Sequence, residues 1–126
     1  MSITPIYAAL LGILFCVLSL NVVRARRAAG IGLGDGGDAT LSRRIRAHGN
    51  FAEYVPLSLI LILLIEEAGA NPTFVHGINI ALLAGRIMHA IALSSPTPRP
   101  LLRTAGAALS ILVVAASSIR LLVLLV

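Results

Sequence analysis

Four long apolar runs, separated by short polar segments, dominate the chain. These runs predict helices over residues 5–23, 41–69, 73–93 and 101–126. A helix crosses a bilayer with about 20 apolar residues, and each run is about that long or longer. Prolines at positions 96, 98 and 100 separate the last two runs, because prolines at alternate positions cannot continue a helix. The pattern predicts one all-α domain over residues 1–126, an integral membrane four-helix bundle.

The composition supports a membrane protein and argues against a nucleic-acid-binding one. Of the 126 residues, 58% are hydrophobic and only 12% are charged, whereas about a quarter of the residues of a soluble domain are charged. The net charge is +5 and every basic residue is an arginine. Nucleic-acid binding needs a basic face on a soluble scaffold. We therefore expect a lipid bilayer as the partner, and no nucleic acid.

The arginines also predict the orientation of the bundle. Eight of them flank the first and third connections between helices, namely Arg24, Arg26, Arg27, Arg43, Arg44, Arg46, Arg99 and Arg103. The second connection carries Glu66 and Glu67 and no arginine. Because positive residues accumulate in cytoplasmic loops, we expect the first and third loops to be cytoplasmic and both termini to be non-cytoplasmic.

A polar stripe on the second predicted helix is the main candidate for a functional site. Arg46, Asn50 and Glu53 stand at i, i+4 and i+7, so they share one helix face. The rise of the helices places Arg86, His89 and Arg103 of the neighbouring helices in the same leaflet. That convergence predicts a cationic pocket with one carboxylate inside it, suited to a small anion or zwitterion.

Each of these polar residues also has a purely structural interpretation. Glu53 and Arg86 would form a buried ion pair in which each neutralises the other. Asn50 would be a polar contact between helices, and His89 would donate to a helix carbonyl. Arg43 is interpreted as an anchor for lipid headgroups rather than a ligand residue. The residues alone leave these alternatives open.

The second helix also carries a recognisable motif. The segment Arg46-Ala47-x-x-Asn50-x-x-Glu53-Tyr54-x-Pro56 resembles the helix 2 signature of the MAPEG family, the membrane-associated proteins in eicosanoid and glutathione metabolism, and in particular its leukotriene C4 synthase branch. The Arg86-x-x-His89 pair is similar to that of the prostaglandin E synthase branch. The resemblance covers essentially the whole chain and implies a homotrimer. For a bacterial member of the family, it implies a location in the inner membrane.

The resemblance further implies glutathione as the cofactor, bound between adjacent subunits. By analogy the residues that contact it would be Arg26, Arg46, Asn50, Glu53, Tyr54, Arg86 and His89. Arg103 would be the catalytic residue, because a cation beside the sulfur favours the thiolate. The thiolate would attack a lipophilic small-molecule substrate from the bilayer, as in a glutathione transferase or peroxidase. No metal site is expected.

One other function, that of a non-catalytic binding protein, stays open, and a second, that of a small multidrug transporter, is set aside. Synthases of the MAPEG family often carry a tyrosine one turn beyond the His89 position, where this chain has Leu93. The family also includes non-catalytic proteins, so a lipid- or anion-binding protein is the alternative. Small multidrug transporters of similar length depend on a glutamate in their first helix, and the first helix here has no acidic residue.

Overall fold

The computed structural model describes residues 2–126 and contains four long helices. In chain order they are α1 (Thr4–Ala29), α2 (Ala39–Glu67), α3 (Pro72–Ser94) and α4 (Pro100–Leu125). Each helix is long and apolar enough to cross a membrane, and no strand occurs among the described residues. The predicted all-α membrane bundle is therefore confirmed, and the helix bounds lie close to the predicted ones except at one end.

The exception is the end of α1, which runs to Ala29 rather than stopping at Val23. Charged residues end an apolar run, but arginine is a good helix former and does not end a helix. The helix ends instead where Gly30 adopts a left-handed conformation with φ of 68° and its N–H donates to the carbonyls of Arg26 and Arg27. Glycine reaches that conformation without steric cost.

Side-chain caps mark the start of two of the other helices. The carboxylate of Asp38 accepts from the N–H of Leu41 at 2.7 Å at the start of α2. The side chain of Asn71 accepts from the N–H of Thr73 at 2.8 Å at the start of α3. In each case the cap satisfies an N–H that has no partner within the helix.

The bundle is held together around α2 and α3, each of which contacts the other three helices. The buried residues Phe51, Val55 and Ile62 of α2 belong to the same hydrophobic core as Leu11 of α1 and Leu82 of α3. Many large apolar side chains point outward instead, among them Ile13, Leu20, Ile60, Leu112 and Ile119. Such an apolar exterior is stable only in lipid, so we treat the chain as a multi-pass membrane protein.

A polar contact and a shared cavity show which ends of the helices and which connections lie at the same end of the bundle. The carboxylate of Glu66 accepts from the backbone N–H groups of Ile3 and Thr4, so the end of α2 caps the start of α1. At the opposite end of the bundle, Arg43 of α2 and Arg99 before α4 line one cavity. The arginine-rich first and third connections therefore share one end of the bundle, which we call the basic end.

Helices α3 and α4 approach each other closely at a glycine. A Cβ built on Gly106 of α4 would lie 2.7 Å from the carbonyl oxygen of Gly85 and 2.8 Å from the backbone N of His89, both in α3. Those neighbours are backbone atoms of a packed helix and cannot move aside alone. Gly106 therefore sets the distance between α3 and α4, as small residues do at helix contacts in membranes.

We predict that Gly106→Ala separates α3 from α4 and lowers stability by about 1–3 kcal/mol, as overpacking does. Thermal unfolding of the protein in detergent measures this as a lower midpoint. Gly77→Ala on α3 is the matched control, because a Cβ at Gly77 would meet nothing within 4 Å. Equal midpoints for the two variants would contradict the close approach.

Candidate functional site

A cavity of about 400 Å³ opens between α2, α3 and α4 at the basic end. It is lined by Ser42, Arg43, Arg46, Asn50, His89, Leu93, Arg103, Thr104 and Ala107. The volume lies within the range of about 300–1,000 Å³ that is typical of small-molecule sites. Three of the lining residues are arginines and none is acidic, so the cavity is strongly cationic.

The lining follows directly from helical periodicity. Residues four positions apart lie on one face of a helix, one turn above the other. The three helices contribute such sets to the cavity: Ser42, Arg46 and Asn50 from α2, His89 and Leu93 from α3, and Arg103 and Ala107 from α4. The cavity is therefore the meeting point of three helix faces.

Arg86 lies behind this cavity rather than in its wall. Its side chain is only 1% exposed. Its Nη1 donates to the side-chain oxygen of Asn50 at 2.8 Å and to the carbonyl oxygen of Asn50 at 3.2 Å. Its Nη2 donates to the carbonyl oxygen of Gly106 at 3.4 Å, and its Nε has no partner among the described residues. One guanidinium thus joins α2, α3 and α4.

The surroundings of Arg86 are polar but not acidic. Its Cζ lies 5.7 Å from the centre of the Tyr54 ring, within the distance of a cation–π contact. The carbonyl dipoles and the ring face stabilise the cation, yet none of these groups carries a full negative charge. Arg86 therefore orients Asn50 and leaves positive charge behind the wall of the cavity.

The predicted ion pair between Glu53 and Arg86 is wrong. Glu53 is exposed on the surface of the bundle, and the donors of Arg86 go to Asn50 and Gly106. Glu53 follows Asn50 by three residues, which turns it about 60° around the helix axis from Asn50. That turn is enough to move its side chain from the contact with α3 to the outside of the protomer.

The structure brings four of the predicted site residues together in the cavity wall, namely Arg46, Asn50, His89 and Arg103. Arg86 and Tyr54 support the wall from behind. Arg26 does not line the cavity, since it donates to the carbonyl oxygen of Gly34 at 2.6 Å in the first connection. Within one protomer, Arg26 and Glu53 are therefore not part of the site.

Sequence reasoning missed other residues in the wall. Arg43 was interpreted as a headgroup anchor, yet it lines the cavity together with Ser42, Thr104 and Ala107. Ser42 and Ala107 were detectable in principle, because each lies four residues from a predicted site residue on the same helix. Thr104 gave no such signal, since it is adjacent to Arg103 and adjacent helical positions point in different directions.

The sequence model of the MAPEG family matches residues 4–123 of the chain. The chain belongs to the MAPEG family. Two curated relatives of similar sequence are the inner membrane proteins YecN of Escherichia coli strain K12 and strain O6:H1, each 42% identical over 87 residues, or 69% of this chain. The matched segment spans 66% of the length of each relative. The predicted membership of the MAPEG family is thereby confirmed.

For this MAPEG protein we predict that Asn50→Ala costs about 1–3 kcal/mol of stability, because it removes the side-chain acceptor of a buried guanidinium. Asn50→Asp should cost less, since it keeps an acceptor at the same place and adds the missing negative charge. Thermal unfolding in detergent without added ligand measures both.

Asn21→Ala is the control for this prediction, because the backbone oxygen of Asn21, and not its side chain, accepts from Arg44. A midpoint for Asn50→Ala equal to that of Asn21→Ala would show that the Arg86 contact contributes nothing to stability.

Proposed function

We propose that this MAPEG protein is a membrane-embedded, glutathione-dependent transferase or peroxidase that acts on lipophilic electrophiles. The observation that carries the proposal is the cationic cavity, in which three arginines and no acidic residue meet in the wall. Glutathione carries two carboxylates, one ammonium group and a thiol, so its net charge is negative. Its negative charge and its size fit such a cavity.

Each side of the cavity has a chemical task in this proposal. The guanidinium of Arg46 and the amide of Asn50 offer donors to the carboxylate and peptide groups of glutathione. Arg86 holds the Asn50 amide in place through the 2.8 Å hydrogen bond. Thr104, beside Arg103, adds a hydroxyl that can donate or accept. These contacts would serve binding and orientation.

Arg103 has a different task, which is to lower the pKa of the thiol. A free thiol has a pKa of about 8.5 and is mostly protonated at neutral pH, and a nearby cation favours the thiolate. Bound glutathione supplies a nucleophilic sulfur to an electrophile. Arg103 is exposed at the start of α4, and in this proposal it meets the thiol where a lipophilic substrate would enter from the bilayer.

We propose further that the site is completed in a homotrimer. Glu53 and Arg46 are both exposed on the outer face of α2, and an exposed carboxylate within a membrane span is costly in lipid. A neighbouring subunit packed on this face would cover Glu53 and let it pair with the ammonium group of glutathione. Arg26 would likewise reach a ligand on the neighbouring subunit.

The proposed location is the inner membrane of a bacterium, with the basic end in the cytoplasm. The Escherichia coli relatives are named as inner membrane proteins. The clustering of the first and third connections at one end agrees with the positive-inside rule. Glutathione would then enter the site from the cytoplasm.

The alternative is a non-catalytic MAPEG protein that binds a lipid or another anion in the same cavity. Leu93 favours this alternative, because it lines the cavity with an apolar group where synthases of the family often supply a tyrosine hydroxyl. The thiol experiment below separates the two functions.

We predict that glutathione binds to the detergent-purified protein. Arg46→Gln should weaken binding about tenfold or more, because it removes one charge-assisted contact. Isothermal titration calorimetry measures both affinities. Arg120→Gln is the matched control, since it removes the same charge from α4 while its guanidinium lies over the Phe74 ring, outside the cavity. Equal weakening by both variants would mean that only the overall charge matters.

We predict that Arg103→Gln raises the pKa of the bound thiol and lowers kcat, because the thiolate loses its nearest cation. Arg46→Gln should instead raise KM with little change in kcat, since its contacts are the same in the ground and transition states. Ultraviolet absorbance of the thiolate, titrated against pH with glutathione bound, gives the pKa directly.

A wild-type protein that binds glutathione but leaves its thiol pKa at the free value would contradict the catalytic proposal and support the non-catalytic alternative. A protein that does not bind glutathione at all would refute both the enzyme and the assignment of the cavity to this ligand.

A further inference from the structure

A second cavity, of about 260 Å³, lies beside the first at the basic end. We call it the headgroup cavity. It is lined by arginines and by the segment that connects α3 to α4, namely Arg43, Ser95, Pro98, Arg99, Pro100 and Arg103. Its volume is below the range of about 300–1,000 Å³ that is typical of sites for whole small molecules, so it suits one group of a larger molecule.

The charges in this cavity are unbalanced. Three arginines line it, one each from α2, from the connection and from α4, and no acidic residue lines it. The only side-chain hydrogen bond of Arg43 among the described residues is a long one of 3.5 Å to the hydroxyl of Thr40. Three cations held close together repel one another unless an anion lies between them.

The backbone adds to this positive field. Helix α4 begins at Pro100 and has 26 residues, and no side chain caps its start. The N-terminus of such a helix carries a partial positive charge and free N–H groups. The phosphodiester of a phospholipid has two charged oxygens on a tetrahedral phosphorus, and its two ester oxygens are further, weaker acceptors. Donors can reach it from several directions, whereas the two oxygens of a carboxylate lie in one plane. Three arginines around one small cavity therefore fit a phosphate group better than a carboxylate.

The surroundings of the headgroup cavity also indicate which kind of molecule would supply a phosphate group. Ala92 and Leu93 form the apolar side of the cavity, and Leu101 on the first turn of α4 is 86% exposed. The cavity thus lies where the charged connection meets the apolar surface of the bundle, at the level of lipid headgroups. Anionic lipids attract arginines that lie at this level.

We infer that the headgroup cavity binds a phosphate group, as carried by an anionic phospholipid, next to the cavity proposed for glutathione. The inference rests on the arginine cluster and its place in the membrane, and it stands whether or not glutathione binds. Because Arg43 and Arg103 line both cavities, a bound phosphate would also bring lipid close to the proposed reaction site.

The test uses the full chain in a neutral detergent, titrated with short-chain phosphatidylglycerol and, in a separate arm, with inorganic phosphate. Phosphatidylglycerol should raise the unfolding midpoint of the wild-type protein, and Arg99→Gln should reduce that shift by at least half. Arg27→Gln is the matched control, because Arg27 is an exposed arginine at the same end that lines neither cavity. It should keep the shift.

The two arms distinguish the source of the phosphate. A shift with phosphatidylglycerol alone assigns the site to a lipid headgroup, and a shift with both assigns it to phosphate in either form. No shift in either arm, or an equal loss in Arg99→Gln and Arg27→Gln, would overturn the inference.

A calorimetric titration with glutathione separates the two cavities. Arg99 lines only the headgroup cavity, so Arg99→Gln should leave glutathione affinity within about twofold of wild type. An equal loss of glutathione and phosphatidylglycerol binding would show that the two cavities are one site and would also overturn the inference. Failure of glutathione to bind the wild-type protein would refute only the proposed function.

Discussion

The constraint on which the structure depends is the burial of the Arg86 guanidinium among three helices without a carboxylate. A buried cation must be satisfied by hydrogen bonds, because leaving it unpaired is costly. Asn50 supplies two acceptors and Gly106 supplies a third. The Gly106 carbonyl reaches Arg86 only because glycine lets α4 pack against the backbone of α3. The contacts that pack α4 against α3 therefore also hold Arg86 and Asn50 in place beside the site.

The same arrangement explains why the candidate site lies at the edge of the protomer. The inward face of α2 is occupied by core residues such as Phe51 and Val55, and Asn50 turns towards Arg86. Arg46 and Glu53 then remain on the exposed side of the same helix. A membrane protein with exposed charges on a span is incomplete as a single subunit. This is the physical basis for proposing that a neighbouring subunit closes the site.

Sequence reasoning predicted the architecture and much of the cavity, because both follow from regular spacing. Apolar runs of sufficient length predicted the four helices, and the four-residue repeat brought Arg46 and Asn50 to one face. The partner of Arg86 could not be predicted in this way. A buried cation is expected to pair with a carboxylate, but here its acceptors are an amide and backbone carbonyls. A backbone carbonyl becomes an acceptor for Arg86 because α3 and α4 pack closely at Gly106, and such a contact leaves no pattern in the sequence.

The central claim is that a cationic cavity, completed between subunits, holds glutathione. Native mass spectrometry of the detergent-extracted protein tests it most directly, because it reports subunit number and bound ligand in one spectrum. Our account predicts a three-subunit species that gains the mass of glutathione when the tripeptide is added, while released monomers do not. Monomers that bind glutathione as well as the assembly does, or a trimer that stays unoccupied at saturating glutathione, would contradict it.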